Sequence, residues 1–240
     1  HVCGICMGEF GQLTRILSPM VKQPFTYASL EKKRETAAGQ LTAEELIFTY
    51  RFREMNQDTR LLGLIGRPVD KSYSHVTHNA VLKHLAVNAV YLKFHLMDEE
   101  LFPFFKEIES LQVMGLSVTM PFKEKVINLL QEGHDLTACN TLVSTPNGWL
   151  GFNTDGVGAL RALGFLSLKN QKTIILGAGG TAKAVAKAFF LNGADVVILN
   201  RTIERAKEIA IPLKAKWGGL ELLPQLTQEG YTCIVQATSV

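Results

Sequence analysis

Short apolar runs punctuate this chain and are separated by longer, more polar stretches. Leu61-Leu62-Gly63-Leu64-Ile65, Val90–Leu96 and Val113–Val118 are of strand length, and helices are expected around Thr77–Ala86 and Glu99–Glu109. Strands that alternate with helices predict a mainly parallel sheet. Pro121 is expected at the start of the next helix, where a missing N–H costs nothing. Asn147-Gly148, between Leu142-Val143-Ser144 and Trp149-Leu150-Gly151-Phe152, predicts a hairpin. A helix from about Asp155 to Leu163 follows. The strand Thr173-Ile174-Ile175-Leu176 then leads into a helix with apolar positions at Ala182, Val185, Ala186, Phe189 and Phe190, a helical spacing. Val196-Val197-Ile198-Leu199 and Cys233-Ile234-Val235-Gln236 read as further strands.

The turn between the first of these strands and its helix is Gly177-Ala178-Gly179-Gly180-Thr181-Ala182, a G-x-G-x-x-A pattern. A strand, a glycine turn and a helix N-terminus make a cradle for a pyrophosphate, because the backbone can approach closely and free N–H groups face the anion. The same glycines also fit an ordinary α/β turn. The next strand ends in Asn200-Arg201-Thr202, where a site for NAD usually carries Asp or Glu. A carboxylate would repel a 2′-phosphate, whereas a guanidinium pairs with one. Arg205 lies one helical turn further on. NADP is therefore favoured over NAD, the other reading being a solvated basic helix start.

Composition bounds the rest. The 240 residues are 47% hydrophobic and 20% charged, a globular balance, and the net charge of +3 with no long basic block gives no sign of nucleic acid. No apolar stretch has the length of a membrane span, and no secretory signal opens the chain. Four cysteines suggest no disulfide framework, and Cys3 and Cys6 lack a second pair for a zinc site, so no metal is expected. A reducing interior fits, the cytoplasm or, in a plant, the plastid. The chain begins at His1 and stops directly after a strand, as a piece of a longer polypeptide would, and poor stability is expected of the isolated piece. The oligomeric state is left open. Four segments are expected: 1–50, a polar linker over 51–60, a ligand-binding α/β domain over 61–160, and an incomplete dinucleotide-binding domain over 161–240.

Polar groups stand where strands end: Ser72 and Ser74; Ser117, Thr119 and Lys123; Asn140; and Asn153, Thr154 and Asp155. Ligands of open α/β sheets bind outside the carboxyl ends of the strands. Hydroxyls, amides, an amine and a carboxylate converging there suit a small, polyhydroxylated, anionic ligand. Taken singly, the serines also suit helix caps, Thr119 a strand, Lys123 a surface position, and Asp155 a helix start.

From about Leu61 to Val240 the sequence resembles the shikimate dehydrogenase family. The resemblance rests on Gly66-Arg67-Pro68-Val69, Ser72-Tyr73-Ser74, His78-Asn79, Val118-Thr119-Met120-Pro121-Phe122-Lys123-Glu124, Cys139-Asn140-Thr141, Asn153-Thr154-Asp155-Gly156, Gly177-Ala178-Gly179-Gly180, Asn200-Arg201-Thr202 and Ala237-Thr238-Ser239. It implies a substrate domain with a mainly parallel sheet plus a truncated Rossmann domain for NADP. It also implies reversible oxidation of shikimate to 3-dehydroshikimate, a step of aromatic amino-acid biosynthesis. Lys123 and Asp155 would be the catalytic pair. Ser72 and Ser74 would hold the substrate carboxylate, and Thr119, Asn140 and Asp155 the ring hydroxyls. Gly177, Ala178, Gly179, Gly180, Thr181, Asn200, Arg201, Thr202, Arg205 and Thr238 would contact the cofactor. Oxidising a secondary alcohol needs a proton acceptor at the oxygen, a task that falls to Lys123 with Asp155 orienting it. Lys71 and His75 depart from the family, which usually has His before the first serine and Pro after the second; Ser117 stands where many members carry Asn.

Residues 1 to about 50 resemble the end of a type I 3-dehydroquinate dehydratase, through Met7-Gly8, Gly11, Thr14-Arg15 and Thr36-Ala37-Ala38-Gly39-Gln40. Arg15 would bind that enzyme's substrate carboxylate, and Thr36 and Gln40 would contact its substrate. This segment is a fragment of a TIM barrel, because about 50 residues do not close one. The order of the two pieces is similar to bifunctional dehydratase–dehydrogenases, with lyase activity belonging to the full-length protein. Quinate as a second substrate, and a metabolite sensor without catalysis, are the alternatives.

Overall fold

In the computed structural model, residues 2–8, 11–131, 135–164 and 167–238 are described; Ser239 of the Ala237-Thr238-Ser239 motif lies outside them. The chain forms two compact units, one of residues 1–122 with 142–150, the other of residues 123–141 with 151–240. The segments expected from sequence divide the chain differently, because the hairpin residues 142–150 belong with the strands of unit 1 and Lys123–Thr141 with unit 2.

Unit 1 opens with the short helix α1 (Gln12–Ile16). Strand β1 (Arg60–Gly66) pairs in parallel with β2 (Ala89–His95) and β3 (Val113–Val118). Helices α2 (Ser74–His84) and α3 (Leu101–Glu107) connect them. The hairpin β4 (Thr141–Thr145) and β5 (Gly148–Phe152) completes a five-stranded sheet of order β2-β1-β3-β4-β5. Leu64, Val69, Leu82, Ala89 and Tyr91 form a buried cluster under α2. Segment 51–60 is packed rather than loose: Met55 and Thr59 are buried, Arg51 donates to the Val87 carbonyl, and the Thr59 hydroxyl donates to Asn88.

Three local expectations are corrected. Pro121 starts no helix; it follows a cis peptide bond in a turn, and the next helical turn is a 3-10 segment at Lys125–Leu129. The two-residue turn of the hairpin is Pro146-Asn147, and Gly148 at φ 117° begins β5. A proline suits the second position of such a turn, and the glycine takes the left-handed region after it. Phe190 is 38% exposed, unlike Ala182, Val185, Ala186 and Phe189, since it lies at the edge of the apolar stripe.

Unit 2 carries α4 (Asp155–Ala162), β6 (Lys172–Leu176), α5 (Gly180–Leu191), β7 (Asp195–Leu199), α6 (Ile203–Ala210), β8 (Lys216–Gly218), α7 (Leu223–Gln228) and β9 (Cys233–Gln236). The sheet order is β8-β7-β6-β9, and all three pairings are parallel. This is the 3-2-1-4 order of a dinucleotide-binding fold. Successive residues of a strand face opposite sides. Ile175 and Ile198 accordingly join the core with α5 and α6, while Ile174 and Val197 face Leu226 and Tyr231. No helix among the described residues is long and apolar enough to cross a membrane.

Candidate active site

The densest polar network of unit 2 lies between the start of α4, the start of α5 and the segment that begins at Lys123. Lys123 Nζ donates to Asp155 Oδ2 at 2.5 Å and to Thr181 Oγ1 at 2.8 Å. Thr181 donates in turn to the same carboxylate oxygen at 2.9 Å. Asn140 Nδ2 donates to the other, Oδ1, at 2.7 Å. Both side chains of the ion pair are largely buried, at 16% and 19% exposure. Burial pushes the Asp155 carboxyl up, but the Lys123 hydrogen bond and charge, with those of Asn140 and Thr181, outweigh it, and the group is held below the usual carboxylate value.

Local sequence explains the placement. Asp155 is the first residue of α4, where its charge meets the positive end of the helix dipole, and its N–H donates to Asn153 Oδ1. Asn153 Nδ2 is anchored on the Ala138 carbonyl. Asn140 Oδ1 accepts from the Thr154 N–H at 3.1 Å, so its amide is oriented from two sides. The Cys139 N–H donates to the Lys123 carbonyl at 2.7 Å. Gly180 permits the close approach of α5: a Cβ there would stand 3.0 Å from Lys123 Cβ and 3.2 Å from Ala138 Cβ.

The glycine turn has the form expected of a pyrophosphate cradle. Gly177 has φ 112°, and a Cβ on it would lie 2.7 Å from the Ala237 carbonyl oxygen. Space opens around Gly179, and α5 has neither a side-chain cap nor an acidic residue in its first turn. Ala178 is buried beneath the turn. The first-turn N–H groups are therefore free for an anion. The Thr181 side chain, expected in the cradle, is turned instead to Lys123 and Asp155. Arg201 and Arg205 are exposed near the end of β7, with no carboxylate at Asn200-Arg201-Thr202; Asn200 Nδ2 closes the turn on the Thr202 carbonyl. The Thr238 hydroxyl donates to Gln236 Oε1. The residues present thus fit a dinucleotide with a 2′-phosphate. No cluster of potential metal ligands occurs among the described residues.

In unit 1, Ser72 Oγ donates to Ser74 Oγ at 3.0 Å and accepts the N–H of Ser74, the first residue of α2, at 3.2 Å, although the N-cap position itself is Tyr73. Thr119 follows β3 and its N–H donates to the Ile65 carbonyl. His75, a departure from the family pattern, stacks on the Tyr50 ring with centroids 5.8 Å apart. A concavity of about 780 Å³ is lined by Thr42, Glu45, Tyr50, Ser72, His75 and Lys93. Arg15 is buried and donates to the carbonyls of Cys6 and Gly11. The Thr36 hydroxyl and N–H both donate to Gln40 Oε1, beside an open pocket of about 460 Å³ that Arg15 does not line.

Comparison with known proteins divides the chain into three matched stretches. The family model described as shikimate dehydrogenase substrate binding domain matches residues 64–142, that of shikimate / quinate 5-dehydrogenase residues 159–239, and that of type I 3-dehydroquinase residues 1–57. The shikimate biosynthesis protein AroDE of Chlamydia pneumoniae is 38% identical over 218 residues, covering 88% of this chain and 46% of the relative. The shikimate dehydrogenase (NADP(+)) of Pyrococcus furiosus is 38% identical over 195 residues, covering 78% of this chain and 69% of the relative. A crystal structure of shikimate dehydrogenase from Aquifex aeolicus superposes with a TM-score of 0.71 at 37% identity, covering 78% of this chain and 71% of that one. The chain spans about half the length of the first curated relatives that it matches, at 46%, 47% and 42%.

Proposed function

We propose a function from a plain premise: this chain belongs to the shikimate dehydrogenase family. Its function is the reversible NADP-dependent reduction of 3-dehydroshikimate to shikimate, as the dehydrogenase part of a bifunctional dehydratase–dehydrogenase. The observation that carries the reading is the Lys123–Asp155 pair, tied by Thr181 to the helix that starts at the glycine turn.

The nicotinamide cofactor supplies the hydride. Lys123 manages the proton: as hydride reaches the carbonyl carbon, its ammonium gives a proton to the oxygen, and in the reverse direction its amine takes one. Asp155 and Thr181 hold that nitrogen in one place, and Asp155, with Asn140 and Thr119, takes ring hydroxyls. Ser72 and Ser74 hold the carboxylate. The backbone from Gly177 to Thr181 receives the pyrophosphate, with Ala178 beneath it. Arg201 and Arg205 pair with the 2′-phosphate, and Asn200, Thr202 and Thr238 line the same cofactor site. Arg15, Thr36 and Gln40 belong to the dehydratase half and act only in the full-length protein. Cytoplasm, or a plastid in a plant, is the compartment that suits it.

The test is nicotinamide absorbance at the reduced-cofactor band, using the full-length protein with shikimate and NADP⁺, then with NAD⁺ and with quinate. Rapid reduction of NADP⁺ by shikimate supports the reading. A folded protein that binds shikimate yet reduces neither cofactor would be a sensor instead.

A further inference from the structure

The two members of the Lys123–Asp155 pair are held in different ways. Asp155 opens α4, and Gly156 beside it lets α4 pack closely on α5: a Cβ at Gly156 would stand 2.7 Å from the Ala184 carbonyl oxygen and 2.8 Å from Ala188 Cβ. A helix seated that tightly on its neighbour gives its first residue a fixed position. Lys123 has no such support. It lies in a turn just before the 3-10 segment at Lys125–Leu129. A turn has no ladder of backbone hydrogen bonds, so what fixes Lys123 comes from contacts around it.

Three contacts supply this. The Lys123 carbonyl accepts from the Cys139 N–H at 2.7 Å. The Lys123 ammonium is shared by Asp155 and Thr181. The third contact is made by the next residue: Lys183 Nζ donates to Glu124 Oε2 at 2.6 Å. Lys183 stands on α5 two residues past Thr181, and its N–H donates to the Gly179 carbonyl at 3.0 Å. Lys123 and Glu124 are therefore fastened to the same stretch of α5, one by Thr181 and the other by Lys183. Residues two apart do not share a face of a helix, so the two contacts restrain the turn from different directions.

Exposure separates this ion pair from the buried one beside it. Lys183 is 22% exposed and Glu124 46%. A pair this open to solvent adds little to stability. Its placement gives it another use, since it grips the residue that follows the proton-transfer lysine. Lys187, one turn further along α5, pairs with Asp135 at 3.3 Å, eleven positions past Glu124 and more exposed still.

We propose that Glu124 is a positioning residue for proton transfer: through Lys183 it ties the turn that carries Lys123 to α5, and so holds the ammonium in line with the carbonyl oxygen of the substrate. The inference rests on the dehydrogenase reading above. It gives Glu124 and Lys183 a role through Lys123, not through contact with substrate or cofactor.

Glu124→Gln, Lys183→Met and the double variant are assayed in the full-length protein with shikimate and NADP⁺, with Lys183→Arg and Lys187→Met alongside. The first change removes an anion and the second a cation, so any effect of charge alone would have opposite signs. Positioning predicts the same result from both: kcat about tenfold lower, within the roughly hundredfold that a displacement of about 1 Å can cost, and both KM values within about twofold. The double variant should lose no more than either single one, because each residue acts through the other. Lys183→Arg keeps charge and reach, Lys187→Met leaves the Glu124 pair intact, and both should stay within about twofold of the parent. Melting should stay within about 4 °C of the parent in every variant.

Turnover that rises in one single variant and falls in the other shows action through the electric field and overturns the proposal. A higher KM for NADP⁺ in Lys183→Met alone makes that lysine a cofactor contact and overturns it too. Unchanged kcat in both single variants of an active parent has the same consequence and leaves the dehydrogenase reading standing. Lower kcat with melting reduced by about 10 °C or more shows a structural pair, which also overturns the role. A parent inactive on shikimate removes the premise itself.

Discussion

Thr181 Oγ1 stands 2.8 Å from Lys123 Nζ and donates to the same Asp155 oxygen that the lysine contacts, at 2.9 Å. The helix that follows the glycine turn is therefore hydrogen-bonded to the Lys123–Asp155 pair. Thr181→Val keeps the shape and removes the hydroxyl. It should lower kcat several-fold, while the KM for NADP⁺ stays within about twofold, because the backbone N–H groups of the cradle are untouched. A change confined to the KM for NADP⁺ would return Thr181 to the cradle alone.

Lys123→Ala removes the proton donor proposed above. General acid–base groups contribute roughly 10²- to 10⁴-fold, so kcat should fall within that range. Shikimate binding, followed by calorimetry, should weaken far less. Unchanged turnover would place proton transfer elsewhere.

Acid should weaken the protein through Asp155. Its pKa in the folded state is below the ordinary carboxylate value, so the stabilisation is fully present above that ordinary value and is lost as pH falls through the depressed one. Denaturant titrations of the parent and of Asp155→Asn should differ most near neutrality and converge toward strong acid. A gap that widens on acidification would contradict the direction of the shift.

Arg201→Ala should raise the KM for NADP⁺ about tenfold or more and leave that for NAD⁺ nearly unchanged, since only the former carries a 2′-phosphate for a bidentate guanidinium. Equal losses for the two cofactors would show that Arg201 serves the shared part of the dinucleotide or the fold.

Gly177→Ala should destabilise unit 2. A residue with a Cβ is strained at φ 112°, at a cost of about 1–3 kcal/mol, and the added carbon would collide with the Ala237 carbonyl as well. A thermal scan should show a transition lowered by several degrees, and an unaltered one would mean that the turn can relax.

Much of this was legible in the sequence, because the responsible interactions are local. Apolar runs of strand length and helical spacing located the strands β1 to β7 and β9 and the helices α2 to α5, but not α1, α6, β8 or α7. A glycine pattern between Leu176 and Ala182 marked the cradle, since only a tight turn with little side-chain bulk meets that demand. The absence of Asp or Glu at Asn200-Arg201-Thr202 carried the cofactor choice, as charge complementarity depends on residue type more than on detail. Pro121 and Phe190 were misplaced where a local rule met a wider constraint: a turn with a cis peptide bond before Pro121, and the limited width of the apolar stripe on α5.

What the tertiary structure alone decided are the contacts between residues far apart in the chain. Lys123, Asn140, Asp155 and Thr181 span nearly sixty positions, and no periodicity relates them. Their hydrogen bonds exist because Gly180 lets α5 approach Lys123 and because Asn153 and Thr154 set the first turn of α4. Tyr91 is the sharper case. In the sequence it is one apolar-looking residue of a buried strand. Its stacking on His78 and its backbone hydrogen bonds with the Asn79 side chain arise from the packing of α2 on β2, which depends on the folded chain as a whole.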